Sequence, residues 1–147
     1  MLNQICADVA ADRPNGAPLT VRLLAHDALQ VPLSKWPVLI AGNCRCINPD
    51  RSLLPIRDAV HDDLALSEQL DNEVLTIVRT VSQTETDFVP FRNYARAARG
   101  LSRPPSFGQA VAASTTVVER VDKMVQRVGK AVGYQFDVLD QMVAHID

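Results

Sequence analysis

The stretch TVVERVDKMVQRVGKAV, Thr116 to Val132, decides the fold class. Val117, Val121, Met124, Val128 and Ala131 recur every three or four residues and form one apolar stripe, while Arg120, Lys123, Arg127 and Lys130 fall on another face. Thr116 followed three residues later by Glu119 reads as a capping box, in which the hydroxyl accepts from an early orphan amide and the carboxylate reaches back to the cap's own amide. Glu119 and Lys123 add an ion pair one turn apart, and Gly133 marks the stop. This is the pattern of an amphipathic helix with a buried valine face.

The same periodicity extends outward. Downstream, Val138, Leu139, Met142, Val143 and Ile146 form a final helix. Upstream, Pro90 suits a first turn and is followed by Phe91, Tyr94, Ala95 and Ala98 before Gly100 ends the helix. Arg103-Pro104-Pro105-Ser106 is a linker, and Ser106 is placed to cap a short helix through Ala113. Gly108 inside that helix costs it about 1 kcal/mol. Ile56, Val60, Leu64 and Leu70 form one stripe; Val74, Ile77, Val78 and Val81 form another beyond Asp71-Asn72, whose side chains could cap a new helix.

The amino-terminal third is less regular. Leu2, Ile5, Cys6, Val9 and Ala10 fit a short helix ending before the turn signal Arg13-Pro14-Asn15-Gly16. Between Leu19 and Val31, Leu24, Ala28 and Val31 suit a helix while Leu19, Val21 and Leu23 suit a strand, and we read the run as helix. From Pro32 to Pro55, four prolines each remove a backbone donor and Val38, Leu39 and Ile40 favour β structure. A long loop and a short strand pair fit this segment equally well.

The reading is therefore an all-α, bundle-like single domain over residues 1–147, of about five to seven helices, with an irregular segment near 32–55 that has room for a short β pair. The 147 residues match one domain, and 47% apolar with 22% charged residues excludes the disordered class. There is no window of 18 uninterrupted apolar residues and no basic amino-terminal region ahead of an apolar core, so no membrane span or signal peptide is read and a cytoplasmic location is expected. Cys6, Cys44 and Cys46 are odd in number, and Cys44 and Cys46 are too close for an easy bridge, which favours reduced thiols.

Net charge is −2, but it is unevenly spread. Residues 50–87 carry nine acidic side chains against three arginines, whereas residues 92–130 carry eight basic ones against Glu119 and Asp122. The eight, Arg92, Arg96, Arg99, Arg103, Arg120, Lys123, Arg127 and Lys130, fall into two helical stripes and are the candidate partner-binding residues. Such stripes suit phosphates, an acidic protein, a second copy of the chain, or the chain's own acidic helices. Between them SFGQAVAASTTVVERV is similar to a helix-turn-helix, with Thr115, Thr116, Glu119 and Arg120 at the start of its recognition helix.

Two further segments carry resemblances. His26-Asp27 in LLAHDAL looks like the central motif of the HD phosphohydrolase family, and AVHDDLA repeats the dipeptide at His61-Asp62. That resemblance implies an all-helical metal-dependent hydrolase, in which imidazole and carboxylate share a divalent ion. No histidine precedes His26 to supply the family's first ligand. NCRCINP, Asn43 to Pro49, together with ERVDKMVQRVGKAVG, is similar to the helical domain of ketopantoate reductases, which implies that Asn43 and Asn48 face a cofactor cleft. The chain has no G-x-G-x-x-G after a strand with which to hold a dinucleotide itself. Cys44-Arg45-Cys46 brings two thiols close in a proline-flanked segment, where we expect one buried and one exposed cysteine.

The leading functional expectation is a non-enzymatic, oligomeric helical protein-interaction or adaptor protein, with no catalytic residue, metal or cofactor assigned. A nucleic-acid-binding regulator using the helices at 92–103 and 116–130 comes second, and an HD-type hydrolase or a remnant of a ketopantoate-reductase-like domain third.

Overall fold

The computed structural model describes residues 11–12, 18–19, 30–82, 88–114 and 118–147. Among them are seven α-helices: α1 (Gln30–Ala41), α2 (Ile56–His61), α3 (Leu64–Ser82), α4 (Phe91–Ala98), α5 (Ser106–Ala112), α6 (Val121–Ala131) and α7 (Asp137–Ile146), with a 3-10 turn at Asn43–Cys46. The all-α class read from periodicity is what the structure has. Two-residue strands β1 (Ala11–Asp12) and β2 (Pro18–Leu19) pair antiparallel, with Ala11 opposite Leu19. They flank the Arg13–Gly16 turn signal. Leu19 thus lies in a strand; the helices expected at residues 2–10 and 20–29, and His26-Asp27, lie outside the described residues.

Helix α3 is the central element. Leu70, Val74, Ile77 and Val78 on its inner face are almost completely buried, and α1 packs along it with Leu33, Trp36 and Ile40. Val125 of α6 and Leu139, Val143 and Ile146 of α7 complete the core. Four large apolar side chains on α3 at the helical repeat, each worth about 1.5–3 kcal/mol when fully buried, make this seam the main source of stability.

Proline misleads at 32–55. Residues 30–41 are helical, and the segment becomes irregular only at Gly42, with one isolated antiparallel bridge between Ile47 and Leu53. Pro32 falls in the first turn, where its missing N–H has no helical acceptor in any case. Pro37 is interior and costs its helix about 3 kcal/mol. Burial of Leu33, Trp36, Ile40 and Ala41 around it outweighs that cost.

Other boundaries shift for local reasons. The helix break falls at Asp62–Asp63, where Asp63 Oδ1 accepts the Leu66 amide at 2.9 Å, and not at Asp71–Asn72. Asp71 caps nothing and lies buried inside α3. Helix α5 begins on Pro105, with Ser106 as its first residue and not its cap. Helix α6 begins at Val121 because Arg120 has a non-helical backbone (φ −92°, ψ 77°). No side chain caps it: Glu119 is exposed ahead of the helix, and Thr116 lies outside the described residues.

The buried face of α6 is also rotated from the expected one. Asp122, Val125 and Gly129 are buried while Met124 is 40% exposed. One residue of helix is about 100°, enough to move Met124 from core to surface. Gly129 fixes the rotation, since a Cβ there would meet Ile77 Cδ1 at 2.7 Å, and α6 can sit this close to α3 only on a side without one. Gly133, at φ +90°, ends α6 as expected, and Tyr134 N donates back to Gly129 O at 2.9 Å.

Candidate functional site

A half-open groove of about 900 Å³ runs between α1 and α6. Leu33, Trp36 and Leu39 of α1 form one wall, Val121, Met124 and Val128 of α6 the other, and Phe107 and Ala110 of α5 close one side. Both walls present residues at three- and four-residue spacing, the face that a helix offers to another helix. Cys44 is at the floor and Val81 at the end of α3. Polar groups stay at the edge: Lys35, Ser106 and Glu119 are exposed and Asn43 half-buried. Val31 and Met124 are each 40% exposed at its mouth, so apolar surface is left open there by the described residues.

The sequence did not point to this groove. Proline content and the β-favouring Val38, Leu39 and Ile40 place α1 in a segment that reads as a loop or a strand pair, and the helical spacing of α6 assigns Met124 to the core. The available signal was that QVPLSKWPVLIA is apolar on more than one side. Such a helix covers more apolar surface than a single partner helix needs.

The structure separates the two basic stripes. On the second, Arg120 holds Asp122 through Nε–Oδ1 at 2.9 Å and Nη2–Oδ2 at 2.6 Å, and reaches Asp147 at 2.8 Å. Lys123 pairs with Asp147 at 2.5 Å and Lys130 with Asp140 at 3.2 Å. These charges are answered by carboxylates of α6 and of the α7 segment, not by the acidic helices at 50–87. Arg127 is exposed. On the first stripe Arg92, Arg96, Arg99 and Arg103 are all exposed, and none pairs with a carboxylate among the described residues. Arg96 donates only to Asn93 Oδ1, at 3.4 Å.

The other candidate residues are occupied in the fold. Cys44 and Cys46 are both buried, at 1% and 0% exposure, which corrects the expectation of one exposed thiol. Burial pushes the Cys44 thiol far up and Cys46 up to about 12, so both are neutral and poor nucleophiles at neutral pH. Arg45 between them donates to Asp63 O at 3.1 Å and to Ser67 Oγ. His61 Nε2 meets Ala95 O at 2.9 Å, tying α2 to α4, while Asp62 is exposed. Asn43 lines the groove, whereas Asn48 donates to Ser52 Oγ at 2.9 Å, so the two asparagines do not converge on one cleft. Among the described residues, no three His, Cys, Asp or Glu side chains come together as metal ligands. None of the described helices is long and apolar enough to cross a membrane.

Among the described residues, two buried carboxylate oxygens have no close hydrogen-bond partner, Asp71 Oδ1 and Glu73 Oε2. Burial, reinforced by Glu68, raises Asp71 to about 6. Glu73 is also raised, first by burial and further by Asp137 and Asp140, against lowering hydrogen bonds from Gln69 and from the Leu139 backbone. It lines a shallow hollow of about 470 Å³ with Glu68, Thr76 and Phe136.

Fold and site together define an all-helical domain with an apolar, polar-rimmed groove. No family model matches the chain, and no curated protein or solved structure matches it. The likenesses to HD phosphohydrolases and ketopantoate reductases therefore rest on their short segments alone.

Proposed function

We propose that this chain is a non-enzymatic protein-interaction module whose groove between α1 and α6 receives an amphipathic helix of a partner protein. The observation that carries the reading is the groove itself: two helical walls whose apolar residues keep a three-to-four-residue spacing, with every charged group at the rim. A third helix with apolar residues at i, i+3, i+4 and i+7 fits between such walls. Lys35 on the α1 side and Glu119 on the α6 side give the partner's flanks one contact of each sign. Sites for small polar substrates differ in placing several polar groups inside the cavity.

Trp36 is the chain's one tryptophan and lines this groove, so its emission reports on occupancy. A tryptophan-free model peptide with a leucine face at helical spacing is expected to shift Trp36 emission saturably and to gain helicity on binding. Met124→Glu, at an exposed wall position, is expected to weaken that binding at least tenfold while leaving the thermal melt in place. An unchanged Trp36 signal at high peptide concentration overturns the reading. So does saturable binding of a small apolar dye that the peptide fails to displace, which would reassign the groove to small molecules.

A further inference from the structure

Beyond the groove, the described residues carry two exposed surfaces of opposite charge, and each has what the other lacks. Helix α4 turns Arg92 and Arg96 outward, Arg99 follows at its C-terminal cap, and Arg103 lies just beyond. All four are arginines, whose planar forks pair bidentately with carboxylates and stack on aromatic rings. Leu101, 43% exposed, adds an apolar point among them. Nothing anionic among the described residues answers this face.

The complementary surface is the hollow on the outer side of α3. Glu68 is exposed there, Glu73 is half-buried with its Oε1 accepting from Gln69 Nε2 at 3.0 Å, and Phe136 forms one wall, its ring stacked on Tyr134 at 5.6 Å between centroids. Asp137 and Asp140 are close enough to add negative potential. Lys130, paired to Asp140, is the cation that the ion pairs place beside this group. Carboxylates beside an aromatic ring are what a guanidinium group recognises, by ion pairing at its edge and cation–π contact on its face.

We propose that the chain self-associates, with the α4 arginine face of one copy seated on the α3 hollow of the next, where an arginine pairs with the exposed Glu68 and stacks on Phe136. The interface joins two different surfaces, so it is heterologous and builds rings or chains of copies. A net charge of only −2 sets little general repulsion against it, while the opposite poles steer the encounter. A nucleic acid would find the same arginines, but it would leave the acidic hollow unexplained and would meet that hollow's repulsion. The second copy accounts for both surfaces at once.

Sedimentation velocity across a concentration series tests this on the full chain. Wild type is expected to associate at low ionic strength and to dissociate as salt is raised. Arg96→Glu and Glu68→Arg are both at exposed positions, and a thermal melt checks that each variant folds. Each alone is expected to weaken association at least tenfold, and an equimolar mixture of the two is expected to regain it, because the unaltered arginine face of the Glu68→Arg variant meets the unaltered hollow of the Arg96→Glu variant, and the two swapped charges meet at the other contact. A chain that stays monomeric at low salt and high concentration overturns the proposal, as does association indifferent to both swaps. Monomeric protein that binds a duplex oligonucleotide in an Arg96-dependent way also overturns it and assigns the stripe to phosphate.

Discussion

Arg120 and Asp122 form a two-pronged ion pair at the start of α6, with the Asp122 carboxylate wholly buried and the Arg120 guanidinium extended to Asp147 at the end of the chain. One arginine thus joins the first turn of α6 to the last residue after α7. It also explains why the helix starts at Val121, since the side chain of Arg120 is committed to a residue two positions on and its backbone leaves helical geometry.

The two carboxylates that share Arg120 have unequal weight. Removing one side of a buried pair strands the other charge and costs about 3 kcal/mol or more, whereas exposed pairs contribute about 1 kcal/mol or less. Asp122→Asn is therefore expected to lower the denaturation midpoint strongly, and Asp147→Asn only slightly. Urea unfolding followed by circular dichroism measures both, and equal effects would contradict the burial argument.

Asp71 gives the fold a pH dependence of definite sign. Its carboxyl is raised from 3.8 to about 6 by burial, so the folded chain holds that proton more tightly than the unfolded one. This group's contribution to stability accordingly grows as pH falls from about 6 toward 4, and is lost as pH rises through that window. Asp71→Asn removes the buried charge and is expected to stabilise the protein at pH 7 by on the order of 2 kcal/mol while changing little near pH 4. Glu73, raised in the same direction, leaves a smaller slope in the variant. Asp50, Asp58 and Asp147 are held low by hydrogen bonds, and protonating them acts below this window and with opposite sign. Thermal melts of both proteins across this range check the assignment.

The thiols offer a direct readout of the core. In a Cys6→Ala variant only Cys44 and Cys46 remain, both buried and both held neutral by that burial. A thiol reagent at pH 8 is expected to label neither in the native state and both in denaturant. Rapid native labelling would mean that the floor of the groove opens.

Gly129 sets the distance between α6 and α3. Gly129→Ala gains about 1 kcal/mol of helix propensity, but its Cβ lands 2.7 Å from Cδ1 of the fully buried Ile77, which must shift within a close-packed core. Overpacking of this kind costs about 1–3 kcal/mol, so net destabilisation is expected. Ile77→Val in the same chain should recover part of it by removing the atom that clashes. The additive loss of two independent mutations would contradict the contact.

Helical periodicity by itself determined the fold class and most of the later helices. The α7 stripe of Leu139, Met142, Val143 and Ile146 is buried as spaced, α4 lies between Pro90 and Gly100, and Gly133 ends α6, because these signals are local and act over one or two turns. What needed the tertiary structure was every choice between two locally acceptable alternatives. Pro37 reads as a breaker until the burial of Trp36 and Ile40 against α3 is counted. Met124 and Val125 are equally apolar, and only the close approach at Gly129 decides which one faces inward. The same holds for charge: two basic stripes look alike in sequence, but a fold of long-range contacts brought Asp140 and Asp147 to one and, among the described residues, no carboxylate to the other. The groove belongs to that second kind of information, since its walls come from residues 31–39 and 121–128, which the chain separates widely and only packing on α3 brings face to face.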